Sequence, residues 1–419
     1  MAGFSYIKRL IFLNDVLLLS VSAFGGPQMH MAMFLDRMVQ KKKYLTEAEL
    51  LELYSLCQML PGPTSTQTIT SMGYKFGGPR LAFFTLLVWL LPATILMTTF
   101  SFIYTMLDKE TLRVFKYIQP MAVAFIVTSA IQMVKIIGKG KLSIFLIVFA
   151  FTGAALLRHP IEDYFKTPWI FPIILFLGGF ISFWYHRDLP STAPKEKLRI
   201  NWTYFILFAL ILISAAIMGK LTQSKPIILF ENTFRFGSMV FGGGNVLIPM
   251  MFEQFVKFQK YLTADEFITG IGLVQAVPGP VFSFSTFTTG LALKDLGAHW
   301  HLLGCIIGTV GIFLPGMLFI FFIYPIWDQI KQYSVIQRSL EGVIAASTGL
   351  VVAAAYLLFL PVGLKWIEPE NFFYTNLVET NFVNWGNIII IAVLSVLLYK
   401  TKIPTPVWVV LAMIAGIFF

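Results

Sequence analysis

The sequence predicts an all-α integral membrane protein with about 13 transmembrane segments, arranged as two inverted repeats of six helices with broken helices and one connecting span. Three observations carry this. The first is composition: 57% of the 419 residues are hydrophobic and only 12% are charged, far from the balance of a soluble chain. The second is the length of the apolar runs at 81–106, 118–134, 204–218, 302–322 and 343–360, which approach the roughly 20 residues a helix needs to cross a bilayer. Solid runs of this kind exclude a transmembrane barrel, whose strands alternate. The third is a duplicated motif: Gln58 with Pro61-Gly62-Pro63 returns in the second half of the chain as Gln275 with Pro278-Gly279-Pro280.

The same constant shift aligns Phe24-Gly25-Gly26 with Phe241-Gly242-Gly243, Asp36 with Glu253, Tyr44-Leu45-Thr46 with Tyr261-Leu262-Thr263, Glu49 with Glu266, and Gly73 with Gly290. Ungapped agreement of this extent marks a duplication, the construction used by many transporters. Residues 1–186 form the first repeat and 227–419 the second. Residues 187–226 hold a polar linker and the unrepeated apolar segment that joins them.

Taken in order, the apolar segments of the first repeat fall at roughly 10–35, 47–76, 80–106, 114–137, 141–157 and 168–185. Those of the second fall at roughly 227–256, 264–293, 299–326, 336–360, 386–399 and 404–419. Lys8-Arg9 followed by an apolar stretch imitates a signal peptide, but Asn14-Asp15 interrupts it and the stretch has a counterpart at 227–240, so it is read as the retained first helix. Six spans return the chain to its starting side, and the lone span at 202–219 then starts the second repeat from the opposite side. With the N-terminus in the cytoplasm, the Lys and Arg residues at 135–141, 187–199, 400 and 402 all lie inside, as membrane topology favours. Lys41-Lys42-Lys43 is the exception. It would lie outside unless the first two segments are broken or re-entrant.

The net charge of +10 therefore reads as a topology signal and not as a nucleic-acid surface. Cys57 and Cys305 stand alone in apolar stretches, which excludes a disulfide framework or a thiolate metal site on spacing. No phosphate-binding loop, nucleophile elbow or His-Glu-x-x-His helix is present, so the chain is read as no enzyme, with no cofactor and no metal. Met29-His30-Met31 resembles a soft-metal tract. Its counterpart Val246-Leu247-Ile248 does not, so apolar packing is the better reading.

Each repeat contains two helix interruptions, one at Phe-Gly-Gly and one at Pro-Gly-Pro. Proline lacks an N–H and glycine adopts backbone angles other residues avoid, and broken backbone at membrane depth must face protein or a water-filled cavity. Four breaks at matched places are therefore expected around a cavity; kinking for packing alone is the competing reading. Thr64, Thr66 and Ser283 follow the Pro-Gly-Pro cores, where a restarting helix aims free N–H groups and the positive end of its dipole at the break. Such a site suits an anion. Candidate substrate-binding residues are thus Gly25, Gly26, Gln58, Pro61, Gly62, Pro63, Thr64 and Thr66 in the first repeat, and Gly242, Gly243, Asn245, Gln275, Pro278, Gly279, Pro280 and Ser283 in the second. Arg235 joins them as a cation inside a span, although Glu231 four residues earlier can pair with it. Asp36 and Glu253 share a repeat position, Lys75 marks an interface, and Glu49 and Glu266 are read as capping boxes with Thr46 and Thr263.

The doubled Phe-Gly-Gly, the Tyr-Leu-Thr-x-x-Glu turn and the doubled Gln-x-x-Pro-Gly-Pro together resemble the chromate ion transporter family, over nearly the whole chain and most closely at 20–80 and 237–297. One departure is that Gly26-Pro27-Gln28 stands opposite Gly243-Gly244-Asn245, so the two breaks need not contribute equally. The resemblance implies inverted halves in a bacterial inner membrane and efflux of chromate, with sulfate as the related oxyanion. An anion channel, or a transporter of another small anion such as sulfate, is the alternative. The partners implied are a small inorganic anion and the lipid bilayer, with homodimerisation left open and no nucleic acid.

Overall fold

The computed structural model describes residues 5–24, 26–108, 114–137, 139–156, 170–187, 200–241, 244–327, 334–363, 384–401 and 403–418. Among these the chain is helical, without a strand. The helices are α1 (Tyr6–Ser20), α2 (Gly26–Phe34), α3 (Glu47–Met59), α4 (Thr64–Met106), α5 (Ile118–Ile137), α6 (Lys141–Leu156), α7 (Ile170–Tyr185) and α8 (Thr203–Thr222). They continue with α9 (Lys225–Met239), α10 (Gly244–Phe252), α11 (Ala264–Ala276), α12 (Phe284–Ala292), α13 (Ala298–Ile323), α14 (Ser334–Gly363), α15 (Trp385–Lys400) and α16 (Thr405–Phe418). Five of the described segments are long and apolar enough to cross a membrane: 64–106, 118–137, 203–222, 298–326 and 341–360. The acidic residues Glu368, Glu370 and Glu379 and the basic residues Lys195, Lys197, Arg199 and Lys402 lie outside the described residues.

Local geometry repeats at matched positions. A π-helical stretch follows α2 at Leu35–Lys41 and follows α10 at Glu253–Phe258. Lys43 and Lys260, which the repeat shift places on one another, both take left-handed backbone angles. Both capping boxes form: Thr46 and Thr263 each exchange backbone and side-chain bonds with Glu49 and Glu266, at 2.7–3.2 Å. The periodicity of the sequence is thus also a periodicity of backbone conformation.

The chain divides into two compact units, each drawing on both repeats: residues 1–106, 179–247 and 277–344 form the first, and 107–178, 248–276 and 345–419 the second. In the first, the segments read as single broken helices turn back on themselves. Continued straight, the stretch from Asp15 to Arg37 would cover about 33 Å, yet Arg37 Nη2 donates to Asp15 Oδ1 at 2.8 Å. The chain after Gly26 therefore returns towards the start of α1. Likewise Cys57 and Ser71 are in contact at 3.6 Å, and Lys75 Nζ donates to Glu49 Oε1 at 2.5 Å. The α3–α4 pair is a hairpin with Pro61-Gly62-Pro63 at its tip, and Lys75, expected to mark an interface, closes its base. A second reversal follows at Gly77–Gly78, where the α4 backbone leaves helical angles, and Gly73 packs against Ala82 and Thr85 beyond it. The ion pair of Lys42 with Asp15, at 3.2 Å, brings Lys41-Lys42-Lys43 back beside the first helix.

Asp15 shows what holds the first hairpin. Its side chain is 2% exposed and accepts from Arg37, from Tyr44 Oη at 2.7 Å and from Lys42 at 3.2 Å. At the matched position the second repeat has Asn232. Asp15→Asn should lower stability by about 1–3 kcal/mol, below the usual cost of breaking a buried pair because Arg37 and Lys42 keep partial contact with water. Thermal melting in detergent measures it. An unchanged melting temperature would show that the cluster does not hold the hairpin.

Apolar packing completes the first unit: Leu56 and Cys57 of α3 and Ala82 of α4 join Ile320, Phe321 and Trp327. In the second unit, α5 packs on α11, α15 and α16, with Thr128 Oγ1 donating to Ser395 O at 3.4 Å. Open grooves of about 480 Å³ along α5, α6 and α14 and about 290 Å³ along α8, α9 and α13 are lined almost wholly by apolar side chains.

Candidate functional site

Both Pro-Gly-Pro tips lie in the first unit, and each is bonded to the other repeat. Gly62 N donates to Val240 O at 2.7 Å, and Gly279 N donates to Ala23 O at 2.7 Å. Ala23 and Val240 are themselves matched positions, one residue before each Phe-Gly-Gly. The bonds are reciprocal, as a duplicated chain folded crosswise requires. Two more contacts close a ring. Gly244, the first residue of α10, packs so closely on Val281 that an added Cβ would lie 2.7 Å from the Val281 Cβ. His30 of α2 joins Ala23 O at 3.0 Å to Ser65 Oγ at 2.9 Å. Four breaks separated widely in sequence thus meet in one place.

The chemistry of this ring favours negative charge. Carbonyls at three of the breaks are engaged: Val240 O by Gly62, Ala23 O by Gly279 and His30, and Pro61 O by Gln67 Nε2 at 2.7 Å. The helix starts are not. The first intrahelical bond of α4 runs from Gln67 N to Pro63 O, which leaves the N–H groups of Thr64, Ser65 and Thr66 ahead of the ladder. In the second repeat Ser283 N bonds Pro280 O within a short 3₁₀ turn, and Val281 and Phe282 precede it. α2 and α10 also begin here. Four helix N-termini, each carrying partial positive charge, thus begin at or next to these linked breaks.

Two buried hydroxyls add to the donors. Ser283 and Ser285 are fully buried, and neither Oγ has a hydrogen-bond partner among the described residues; Gln67 Oε1 is likewise unpaired. Buried polar groups are nearly always satisfied, so these unpaired ones are candidate ligand contacts.

The remaining candidates are distributed as follows. Pro63, Thr64 and Thr66 are buried at the first tip, with Thr66 Oγ1 accepting from Trp89 Nε1 at 3.2 Å. Pro278 and Pro280 are buried at the second. Gly26 starts α2. Gln58 is exposed in the last turn of α3, and Gln275, whose carbonyl accepts from Thr405 Oγ1 at 2.9 Å, belongs to the second unit. Arg235 is buried and paired within its own helix, donating to Glu231 at 2.8 Å and Asn232 at 2.7 Å. Asp36 and Glu253 pair with Lys41 and Lys257. Gly25, Gly242, Gly243 and the side chain of Asn245 lie outside the described residues.

The N–H groups of Gly62 and Gly279 do not face an open site, because each is bonded to a carbonyl of the other repeat. The donors ahead of the helical ladder are the N–H groups of Thr64, Ser65 and Thr66 in the first repeat and of Val281 and Phe282 in the second. Sequence reasoning did not pick out Gln67, and it read His30, within Met29-His30-Met31, as apolar packing. The signal for Gln67 was present in the polar run Thr64-Ser65-Thr66-Gln67-Thr68 within a membrane helix, all of it buried; His30 had none, since its counterpart is Leu247.

The family model described as chromate transporter matches residues 11–183 and 227–417. An uncharacterized transporter of Methanocaldococcus jannaschii is 25% identical over 80% of this chain and 80% of its own. The chromate transport protein of Pseudomonas aeruginosa is 24% identical over 79% of this chain and 76% of its own, and the probable chromate transport protein of Synechococcus elongatus is 25% identical over 96% and 93%. No solved structure matches. Doubled breaks, an all-helical membrane architecture and these likenesses agree: the chain belongs to the chromate transporter family.

Proposed function

We propose that the protein is a secondary transporter that exports chromate across the inner membrane and so confers chromate resistance, with sulfate as a related tetrahedral substrate. The supporting observation is the ring of four helix starts with unpartnered Ser283 and Ser285, whose donors suit an oxyanion. The oxyanion is held between the tips of the two repeats, and alternating access comes from rocking of one repeat against the other. Radiolabelled sulfate uptake into proteoliposomes, with chromate as competitor, tests this. Saturable uptake that chromate inhibits is expected. Unsaturable flux that carries current without a coupling ion would instead favour an anion channel.

The same reading makes the repeats inverted. Hairpins that enter from opposite faces meet tip to tip at mid-depth, with the N-terminus and Lys41-Lys42-Lys43 in the cytoplasm and the C-terminus outside. Reporter fusions at both ends are expected to give opposite signals. Finding both ends on one side would remove the inverted arrangement.

A further inference from the structure

We infer that His30 is a proton-binding residue coupled to the oxyanion, so that anion and proton bind together; this rests on the proposed site at the helix tips. The imidazole is 1% exposed, and a carbonyl can only accept, so Nε2 carries a proton donated to Ala23 O. In the neutral ring Nδ1 then accepts from Ser65 Oγ. Among the described residues, the groups that face the ring are Ser65 and Trp89 of α4 and the Ala23 carbonyl, with the Trp89 ring edge-on at 5.4 Å. None of them is charged. A buried cation without a counter-charge is costly, and an arriving dianion supplies one.

Protonation at Nδ1 does two things at once. It places a positive charge one side chain from the open N–H groups of α4. It also reverses the bond to Ser65: Nδ1–H now donates, and the Ser65 hydroxyl proton is released to donate elsewhere, towards the bound oxyanion. Ala23 O meanwhile keeps its bond from Gly279, so the change is felt at both Pro-Gly-Pro tips. Leu247 stands at the matched position of the second repeat, so one proton site serves one anion. By reciprocity, whatever the anion does to proton affinity the proton does to anion affinity.

The probe is inorganic sulfate, which keeps its charge through the neutral range, whereas chromate takes up a proton there. Purified full-length protein is titrated with sulfate between about pH 6 and about pH 8, the range in which imidazole ordinarily titrates. Proton uptake is followed with a dye in weak buffer, and melting temperature is measured for every variant. The wild type is expected to bind sulfate up to about tenfold more tightly per unit fall in pH and to take up close to one proton per anion, the limit for one linked group. His30→Leu, which installs the residue of the second repeat, should bind sulfate weakly and equally at all pH values, with no proton uptake. His30→Gln, which keeps a donor for Ala23, should restore stability but not the pH dependence.

A wild type that binds sulfate with the same affinity throughout and takes up no proton overturns the inference and leaves the oxyanion site standing. A His30→Leu variant that keeps the pH slope also overturns it, making His30 a packing residue. A stable wild type that binds neither sulfate nor chromate removes the site itself, and the proton linkage with it.

Discussion

Gly62→Val and Gly279→Val are each expected to weaken oxyanion binding about tenfold or more, and together to abolish transport, while the helical bundle stays folded. Both glycines hold φ near +120°, at +119° and +121°, where a side chain strains the backbone by about 1–3 kcal/mol. A Cβ would also lie 3.0 Å from Gln67 Nε2 at the first site and 2.9 Å from Ala93 Cβ at the second. Relieving either clash moves a tip, and each tip is tied to the opposite repeat through its glycine N–H. A loss of about 1.4 kcal/mol already costs tenfold in affinity. Alanine brings no relief, because its backbone is equally unsuited to these angles; a milder Ala variant requires dihedrals that the fold does not use. Dissociation constants and melting temperatures are measured side by side. If stable Val variants bound oxyanion with unchanged affinity, the tips would be packing kinks and the site would lie elsewhere.

Ser283→Ala with Ser285→Ala should separate binding from stability. A buried hydroxyl without a partner costs folding free energy, so its removal is neutral or slightly stabilising. If the hydroxyls donate to an oxyanion, the same change removes about 1–3 kcal/mol of binding per bond, and sulfate affinity drops about tenfold or more. The expected pattern is therefore an unchanged or raised melting temperature with impaired uptake. Residues that only pack would show the opposite. Unaltered uptake in the double variant would remove both serines from the site.

The capping boxes and the positions of the breaks were legible because they depend on neighbours within a single turn of helix. Thr46 finds Glu49 in any helix that starts there, and no residue can carry a helix through Pro61-Gly62-Pro63 unaltered. Asp15 was visible too, as an interruption in an apolar run, but its partners Arg37, Lys42 and Tyr44 lie far along the chain, beyond the first break. Gln67 and His30 take their meaning from contacts that no helical spacing announces.

By itself, then, the sequence determined a helical membrane protein, a duplication at constant spacing, and the places where helices stop. A break sets where a helix ends but not which way the chain leaves it. That direction was decided only by tertiary contacts: Glu49 with Lys75 and Asp15 with Arg37 turn two broken segments into hairpins. The crosswise bonds from Gly62 to Val240 and from Gly279 to Ala23 then bring four helix starts together. Each such bond joins groups from different repeats, and its stability depends on excluding water at a place no local pattern specifies.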